Sequence, residues 1–269
     1  MRTFLLVAAA LLPAIVLCVY VYKKDRVEKE PISLLLKLLC LGALCCFPAA
    51  VAESIFVSGL DLFVNTGESS HFYLFLENFF CIALVEEGLK LSVLIFATRK
   101  NEEYNSLFDG IIYAVFVSLG FAALENILYV MKYGFGNAVM RAILSVPGHM
   151  FFAVIMGCFY NIWNINEKAA RIENYYRSIG KIQTESSRFK SGKYMYMCLL
   201  MPMAVHGFYN FCCSISSWWS TVILCGFVVL MYIKCFGKIN EISYLDTYSG
   251  SIVQRAIIRE YPQLEEVIS

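Results

Sequence analysis

Apolar residues dominate the chain in seven long blocks, which are separated by shorter polar segments. A helix needs roughly 20 apolar residues to cross the hydrocarbon core of a bilayer, and each block is about that long. The blocks cover residues 3–22, 32–57, 72–97, 109–131, 139–162, 194–213 and 216–236. This pattern predicts an all-α, polytopic transmembrane helical bundle of about seven helices.

Composition agrees with a membrane protein, since 59% of the 269 residues are hydrophobic and 16% are charged. Soluble globular proteins carry about 25% charged residues. The formal net charge of +1 gives no reason to expect nucleic-acid binding, so the lipid bilayer is the expected partner. The first block is longer than the roughly 7–15 apolar residues of a signal peptide, which predicts a retained helix.

The orientation is predicted by the Lys and Arg residues of the loops, which concentrate on the cytoplasmic side of membrane proteins. Segments 23–37 and 168–193 are rich in these residues, whereas the loops after the second and sixth blocks contain none. The N-terminus is therefore predicted outside and the C-terminus in the cytoplasm. We divide the chain into two N-terminal transmembrane helices (1–71), a membrane core (72–236) and a cytoplasmic tail (237–269).

Two further patterns concern the tail and the cysteines. Apolar residues at near-helical spacing in 252–261 predict an amphipathic helix on the inner membrane surface, with a solvated tail as the alternative. The 11 cysteines lie in or beside apolar blocks without metal-site spacing, so we interpret them as small buried hydrophobes. Cys212 and Cys213 are the only candidates for a disulfide.

Ionisable side chains interrupt four consecutive apolar blocks, the third to the sixth. They are Glu77, Glu86, Glu87 and Lys90, then Glu125, then His149, then His206. A charge near the bilayer centre costs at least about 2.5 kcal/mol, so such residues usually serve a function. At about 1.5 Å rise per residue, the four helices can bring these groups to a similar depth, in the outer half to the middle of the bilayer. We therefore expect one shared interior site.

The spacing on the third helix has a chemical meaning. Lys90 follows Glu86 by four positions and Glu87 by three, so it can neutralise one carboxylate and leave the other as a general base. Two histidines, a glutamate ligand and a glutamate base are the composition of a hydrolytic zinc site. Because no H-E-x-x-H motif is present, composition alone leaves three alternatives open: a catalytic centre, a proton or ion pathway, and structural hydrogen bonding between helices.

Four short motifs at these residues resemble a known family. They are Glu86-Glu87-Gly88-Leu89-Lys90 (E-E-x-x-K), Phe121-Ala122-Ala123-Leu124-Glu125-Asn126 (F-x-x-x-E-N), Pro147-Gly148-His149 and His206-Gly207-Phe208-Tyr209-Asn210. In this order, over residues 72–211, they resemble the PrsW family of intramembrane proteases. That family belongs to a superfamily with CAAX-prenyl proteases and bacteriocin-processing enzymes.

The resemblance implies an intramembrane endopeptidase, multi-pass in the cell membrane of a bacterium (the inner membrane). Its expected substrate is a single-pass membrane protein such as an anti-sigma factor. The implied catalytic residues are Glu86, Glu87, Glu125, His149 and His206, with Lys90, Asn126 and Asn210 in support. A non-catalytic scaffold that binds membrane proteins and a proton-coupled carrier are the alternative functions.

The resemblance leaves two mechanisms open. In one, Glu125, His149 and His206 bind a metal ion, for which zinc is the candidate, and Glu86 or Glu87 deprotonates water. In the other, a glutamate activates water without a metal, and we favour this version, so no cofactor is assigned from the sequence. His71, Glu53 and Glu77 stay outside the site because they lie near the ends of their blocks.

Overall fold

The structure is a computed structural model, and it describes residues 2–64, 70–215 and 217–268. Its helices are α1 (Arg2–Lys24), α2 (Ile32–Leu44), α3 (Cys46–Phe63), α4 (His71–Leu76), a π-helix (Glu77–Ala83), α5 (Leu84–Thr98), α6 (Asp109–Tyr133), α7 (Phe135–Ile143), α8 (Ser145–Ser178), α9 (Gly192–Ser214), α10 (Trp218–Leu245), α11 (Ser249–Glu260), a short 3-10 turn (Pro262–Leu264) and α12 (Glu265–Ile268). Within these ranges the β-type pairing is limited to one isolated bridge, between Ser106 and Tyr248. The predicted all-α class is confirmed.

Six helical runs in the described residues are long and apolar enough to cross a membrane. They cover 3–24, 32–63, 109–133, 138–178, 192–214 and 218–245. A further run, formed by α4, the π-helix and α5 without interruption, is also long but contains the charged residues of the third block. The chain is therefore a polytopic membrane protein of about the predicted number of helices. The predicted orientation stays a prediction.

Helix α6 is the centre of the bundle, and its residues from Asp109 to Ala123 are all buried. Helix α2 packs against it at backbone contact distance. A Cβ atom on Gly120 would lie 2.0 Å from the carbonyl oxygen of Leu39, and one on Gly42 would lie 1.9 Å from that of Val117. Small residues allow such a close approach between membrane helices. The position of α6, which carries Glu125, is therefore fixed by the packing of α2.

The π-helix lies just before the paired glutamates and was not predicted from the sequence. Its Phe79 packs against Gly207 of α9, where a Cβ atom would lie 2.7 Å from the phenyl ring and 3.1 Å from the Cα atom of Phe79. π-helical turns are rare and are frequent at functional sites. This contact sets the distance between the third block, with Glu86 and Glu87, and the helix that carries His206.

At the opposite end of the bundle, the last long helix is joined to the first and to α6. The backbone N–H of Phe108 donates to Asp246 at 2.9 Å, and that of Leu107 donates to the carbonyl of Thr247 at 3.0 Å. The hydroxyl of Ser243 donates to the carbonyl of Lys24. These bonds connect the end of α10 to the end of α1 and to the loop before α6.

Some predicted boundaries and contacts differ from the structure. Helix α8 continues past residue 162 to Ser178, and α10 continues past residue 236 to Leu245. The tail forms α11, but its apolar face packs with the extension of α8 and the following loop: Val253 and Ile257 share a cluster with Ala169, Ile182 and Phe189. The prediction that this face rests on lipid is wrong, because protein covers it. All eleven cysteines lie in the described ranges and are free thiols.

Candidate active site

A cavity of about 590 Å³ opens between α3, the π-helix and helices α5 to α9. It is lined near the C-terminal ends of α6 and α9 and the start of α8. Charged and histidine side chains on its wall are Glu53, Glu86, Glu125, Arg141, His149 and His206. With the predicted orientation, this is the outer half of the membrane. The cavity therefore collects polar groups from helices that are far apart in the sequence.

The side chain of Lys90 lies at the centre of this group and is 1% exposed. Its ammonium donates to Glu86 at 2.9 Å, to Glu87 at 2.9 Å and to Nδ1 of His149 at 3.0 Å. It also lies 4.2 Å from the centre of the Phe121 ring. The sequence predicted that Lys90 would neutralise one carboxylate, and in the structure it contacts both. A buried ammonium is stable here because two carboxylates surround it.

The three residues that accept hydrogen bonds from Lys90 have the chemistry of a metal site. Glu86, Glu87 and His149 are buried, and each offers one ligand atom such that these atoms all lie within 4.8 Å of one another. The second oxygen of Glu87, Oε2, is buried and has no hydrogen-bond partner within the described ranges. Carboxylate and imidazole groups are the ligands that zinc accepts. The two carboxylates, the imidazole and the unpaired oxygen thus have the chemistry that binds a divalent cation.

The two ring nitrogens of His149 have different partners. Nδ1 contacts the Lys90 ammonium, and Nε2 lies 3.0 Å from Oε2 of Glu125. Because an ammonium only donates, Nδ1 must accept, so the ring proton is on Nε2 and is donated to Glu125. The glutamate of the F-x-x-x-E-N motif thus holds His149 from the side opposite the paired glutamates.

His206 is attached to the other end of the network. Its Nδ1 lies 2.9 Å from Oε1 of Glu87, and its ring stacks on Phe152 with 4.6 Å between centroids. The rings of His149 and His206 are 5.4 Å apart. Glu87 is 0% exposed and does not line the cavity, whereas Glu86 and His206 do. The two adjacent glutamates are therefore not equivalent: Glu87 is internal and Glu86 faces the cavity.

All five predicted catalytic residues belong to one connected network, but the predicted ligand set differs from the group that converges. Glu125 contacts His149, and His206 contacts Glu87. Among the described residues, the three whose ligand atoms converge are Glu86, Glu87 and His149. The structure thus favours a different trio from Glu125, His149 and His206.

The supporting residues have different surroundings. Asn126 donates to the carbonyl of Ala10 at 2.7 Å and so attaches α6 to α1, which is a structural contact. Asn210 lines the cavity one turn after His206. Of the residues left outside the site, His71 stacks beside Trp219 at 6.4 Å, and Glu77 does not line the cavity.

Sequence reasoning missed two charged residues of the cavity. Arg141 lies in the fifth apolar block and was not among the predicted site residues, although it donates to Glu125 at 2.8 Å. Glu53 was set aside as a residue near a helix end, but with Cys46 and Ala50 it forms a face of α3 that lines the cavity. The spacing of these three positions, i, i+4 and i+7, was the available signal for Glu53.

Comparison with known proteins identifies the family. The family model of the PrsW intramembrane metalloproteases matches residues 30–236, which extends beyond the motifs on both sides. The chain belongs to the PrsW family. It is similar to Protease PrsW of Oceanobacillus iheyensis, with 36% identity over 237 residues, covering 88% of this chain and 95% of the relative.

Two further PrsW relatives are similar to most of the chain. The identity to Protease PrsW of Bacillus subtilis is 31% over 216 residues, covering 80% of this chain and 86% of the relative. The identity to Protease PrsW of Clostridioides difficile is 30% over 227 residues, covering 83% and 85%. No solved structure matches the chain. The predicted family and the predicted activity, an intramembrane protease, are confirmed.

Proposed function

We propose that Glu86, Glu87, His149 and His206 form the catalytic centre at which this PrsW protein hydrolyses a peptide bond of a membrane-anchored substrate. The observation that carries the proposal is the position of Lys90, whose ammonium is held by Glu86, Glu87 and His149 beside an open cavity. A point that binds an ammonium among two carboxylates and an imidazole can also bind a divalent cation.

We assign Glu86, Glu87 and His149 as the residues that hold the metal ion, with zinc as its identity. Support comes from their converging ligand atoms and from the unpaired Oε2 of Glu87. When bound, the ion supplies a Lewis acid that polarises the scissile carbonyl and acidifies water. Lys90 has to leave its present position for the ion to bind, since both are cations that need the same ligands.

His206 is assigned as the group that takes the proton from the attacking water. Its Nδ1 is engaged by Glu87, so a neutral ring keeps Nε2 as its acceptor. A histidine held by a carboxylate in this way is a common general base. Asn210 lines the cavity one turn later, and its amide is assigned to donate to the carbonyl oxygen of the substrate.

The substrate is proposed to be a single-pass membrane protein, such as an anti-sigma factor, cut near the outer face of a bacterial cell membrane. The supporting observations are the position of the cavity, at the ends of α6 and α9 that the charge pattern predicts outside, and its volume of about 590 Å³. In this proposal, residues 72–236 are the catalytic core, preceded by two transmembrane helices in 1–71 and followed by a cytoplasmic tail, 237–269.

The test is cleavage of tagged single-pass anti-sigma factors by the purified protein in proteoliposomes. Wild type is expected to cut at least one of these anti-sigma factors. The control variants Glu77→Gln and His71→Gln are expected to cut the same substrate at the wild-type rate. His206→Gln is expected to lower the cleavage rate at least about 100-fold, the range for a general base. Glu86→Gln and Glu87→Gln are expected to lower the rate to a similar extent, because each removes a proposed metal ligand. Cleavage that persists in all three would end the assignment of the site, and no cleavage by wild type would end the substrate assignment.

A further inference from the structure

Helix α7 places a positive charge on the outer end of the active-site network. The chain leaves α6 at Gly134, whose φ of +83° is in the left-handed region that favours glycine, and α7 begins at the next residue. This sharp turn folds α7 back beside the last turns of α6. As a result, Arg141 of α7 reaches Glu125 of α6 and lines the catalytic cavity.

The guanidinium of Arg141 has three partners on α6. It donates to Oε2 of Glu125 at 2.8 Å and to Oδ1 of Asn126 at 3.0 Å, and it lies 4.1 Å from the centre of the Tyr129 ring. Its side chain is only 13% exposed. A guanidinium withdrawn from water needs such partners, and its rigid fork fixes their geometry.

One oxygen atom joins Arg141 to the catalytic histidine. Oε2 of Glu125 accepts from Arg141 at 2.8 Å and from Nε2 of His149 at 3.0 Å. The opposite nitrogen of the ring, Nδ1, lies 4.0 Å from Oε2 of Glu86 and accepts from Lys90. The charge on Arg141 therefore acts on the carboxylate that holds the Nε2 side of the His149 ring, opposite Lys90.

We propose that Arg141 is a positioning residue, which holds Glu125 so that Glu125 keeps Nδ1 of His149 directed toward Glu86, where it can serve as a metal ligand. The inference rests on the proposed function in one respect, the place of His149 among the ligands. Histidines that bind metals usually donate their other N–H to a carboxylate, and that carboxylate is itself hydrogen-bonded. Glu125 then serves as the partner of a ligand, not as a ligand, because both its neighbours already use the oxygen nearest to His149.

The first test reads the ring of His149 directly and needs neither metal nor activity. The chain has only 3 histidines, so ¹⁵N-histidine labelling gives a spectrum in which His71→Gln and His206→Gln assign the signals. In wild type we expect His149 with its proton on Nε2. In Arg141→Gln we expect the same tautomer, because Lys90 still donates to Nδ1, but a shifted and broadened Nε2–H resonance, because Glu125 is no longer held in place. Arg141→Lys, which keeps a charge, should return part of the way to the wild-type resonance. Lys132→Gln, which removes a cation beside Tyr133 at the same end of α6, is the matched control.

The second test measures Zn²⁺ affinity of the purified protein in detergent. Arg141→Gln and Glu125→Gln are each expected to weaken it by about 10–100-fold, the usual effect of removing the partner of a metal ligand. The double variant, Arg141→Gln with Glu125→Gln, is expected to lose no more Zn²⁺ affinity than Glu125→Gln alone, because Arg141 acts through Glu125.

The outcomes separate the two proposals. If Arg141→Gln leaves both the Nε2–H resonance of His149 and the Zn²⁺ affinity of a folded protein unchanged, or if the affinity losses of Arg141→Gln and Glu125→Gln add in the double variant, Arg141 is not a positioning residue. If wild type binds no Zn²⁺ but the Nε2–H resonance of His149 depends on Arg141 as described, the metal assignment fails and the positioning role stands.

Discussion

The Nζ atom of Lys90 lies 3.0 Å from Nδ1 of His149, although the two residues are 59 positions apart and belong to different helices. The contact shows that the lysine of the E-E-x-x-K motif also bonds to a histidine on another helix. It fills the space between all three proposed metal ligands. In the proposed function the ammonium and the metal ion use the same three residues, so the two exclude each other.

Replacing Lys90 by Met is expected to lower the free energy of unfolding by about 3–5 kcal/mol in the absence of metal, since two buried carboxylates lose their counter-charge. Added Zn²⁺ should restore much of that loss, and it should raise the melting temperature more for Lys90→Met than for wild type. Thermal unfolding in detergent, with EDTA or with Zn²⁺, measures both effects. Equal stability of the two proteins under EDTA contradicts the prediction, and Lys234→Met on α10 serves as the control.

Removal of bound metal should abolish proteolysis. We expect 1,10-phenanthroline to stop cleavage in proteoliposomes, and Zn²⁺ to restore it after the chelator is removed. Metal analysis should find the ion in wild type and in Glu77→Gln, but not in His149→Gln or Glu86→Gln. Full activity in a protein shown to contain no metal would favour the alternative mechanism, in which a glutamate activates water alone.

The contact between α9 and the π-helix gives a prediction away from the ionisable groups. Gly207→Ala puts a Cβ atom 2.7 Å from the ring of Phe79, so the helices must separate. Overpacking of this kind costs about 1–3 kcal/mol of stability. A displacement of His206 by a fraction of an ångström from Glu87 should lower kcat by about 10–100-fold, because catalysis depends on that alignment.

The matched control for this change is Gly226→Ala in α10, where a Cβ atom meets nothing within 4 Å. It should leave kcat and the melting temperature near their wild-type values. If Gly207→Ala is as active as Gly226→Ala, the close approach of α9 to the π-helix does not position His206.

The pH dependence of stability should contain a signal from the loop after α1. Burial, with the charges of Asp109 and Asp25, raises the pKa of Glu30 from its ordinary 4.5 to about 8, although a hydrogen bond from Tyr113 opposes the rise. The folded protein thus binds this proton more tightly than the unfolded chain. The resulting stabilisation is complete below about pH 4.5 and is lost as the pH rises through about 8.

The measurement is the melting temperature in detergent across that window. It should fall with rising pH in wild type and fall less in Glu30→Gln. In Glu30→Gln the melting temperature should still fall with rising pH, but less steeply, since burial also raises the pKa of Asp25 from 3.8 to about 6. Glu28→Gln, an exposed carboxylate of the same loop, is the control, and an identical slope in Glu28→Gln and Glu30→Gln would contradict the prediction.

The sequence predicts the helices and the members of the site well, because both leave local signals. Long apolar blocks predict the spans, and a charge inside such a block is conspicuous, as at Glu86 and His149. The short contact from Lys90 to Glu86 and Glu87 follows from helical spacing alone. These are properties of single helices, which can be read without knowing how the helices pack.

Contacts between helices could not be predicted in the same way. Whether Glu125 is a ligand or the partner of His149 depends on the angle at which α6 meets α8, and no local spacing encodes that angle. The π-helix also lacks a local signal, since it arises where Phe79 must fit against Gly207. Arg141 was overlooked because its partner, Glu125, lies on the other side of the turn at Gly134. The two residues come into contact only when α7 folds back against α6.

The bonds between the end of α10 and the loop before α6 have a consequence for biogenesis. All proposed catalytic side chains lie before residue 211, so they leave the ribosome earlier than Ser243 and Asp246 do. The nascent protein therefore holds a full set of reactive groups before its last span can reach Lys24 and Phe108. Closure of the bundle by Ser243 and Asp246 therefore comes after the synthesis of every proposed catalytic residue.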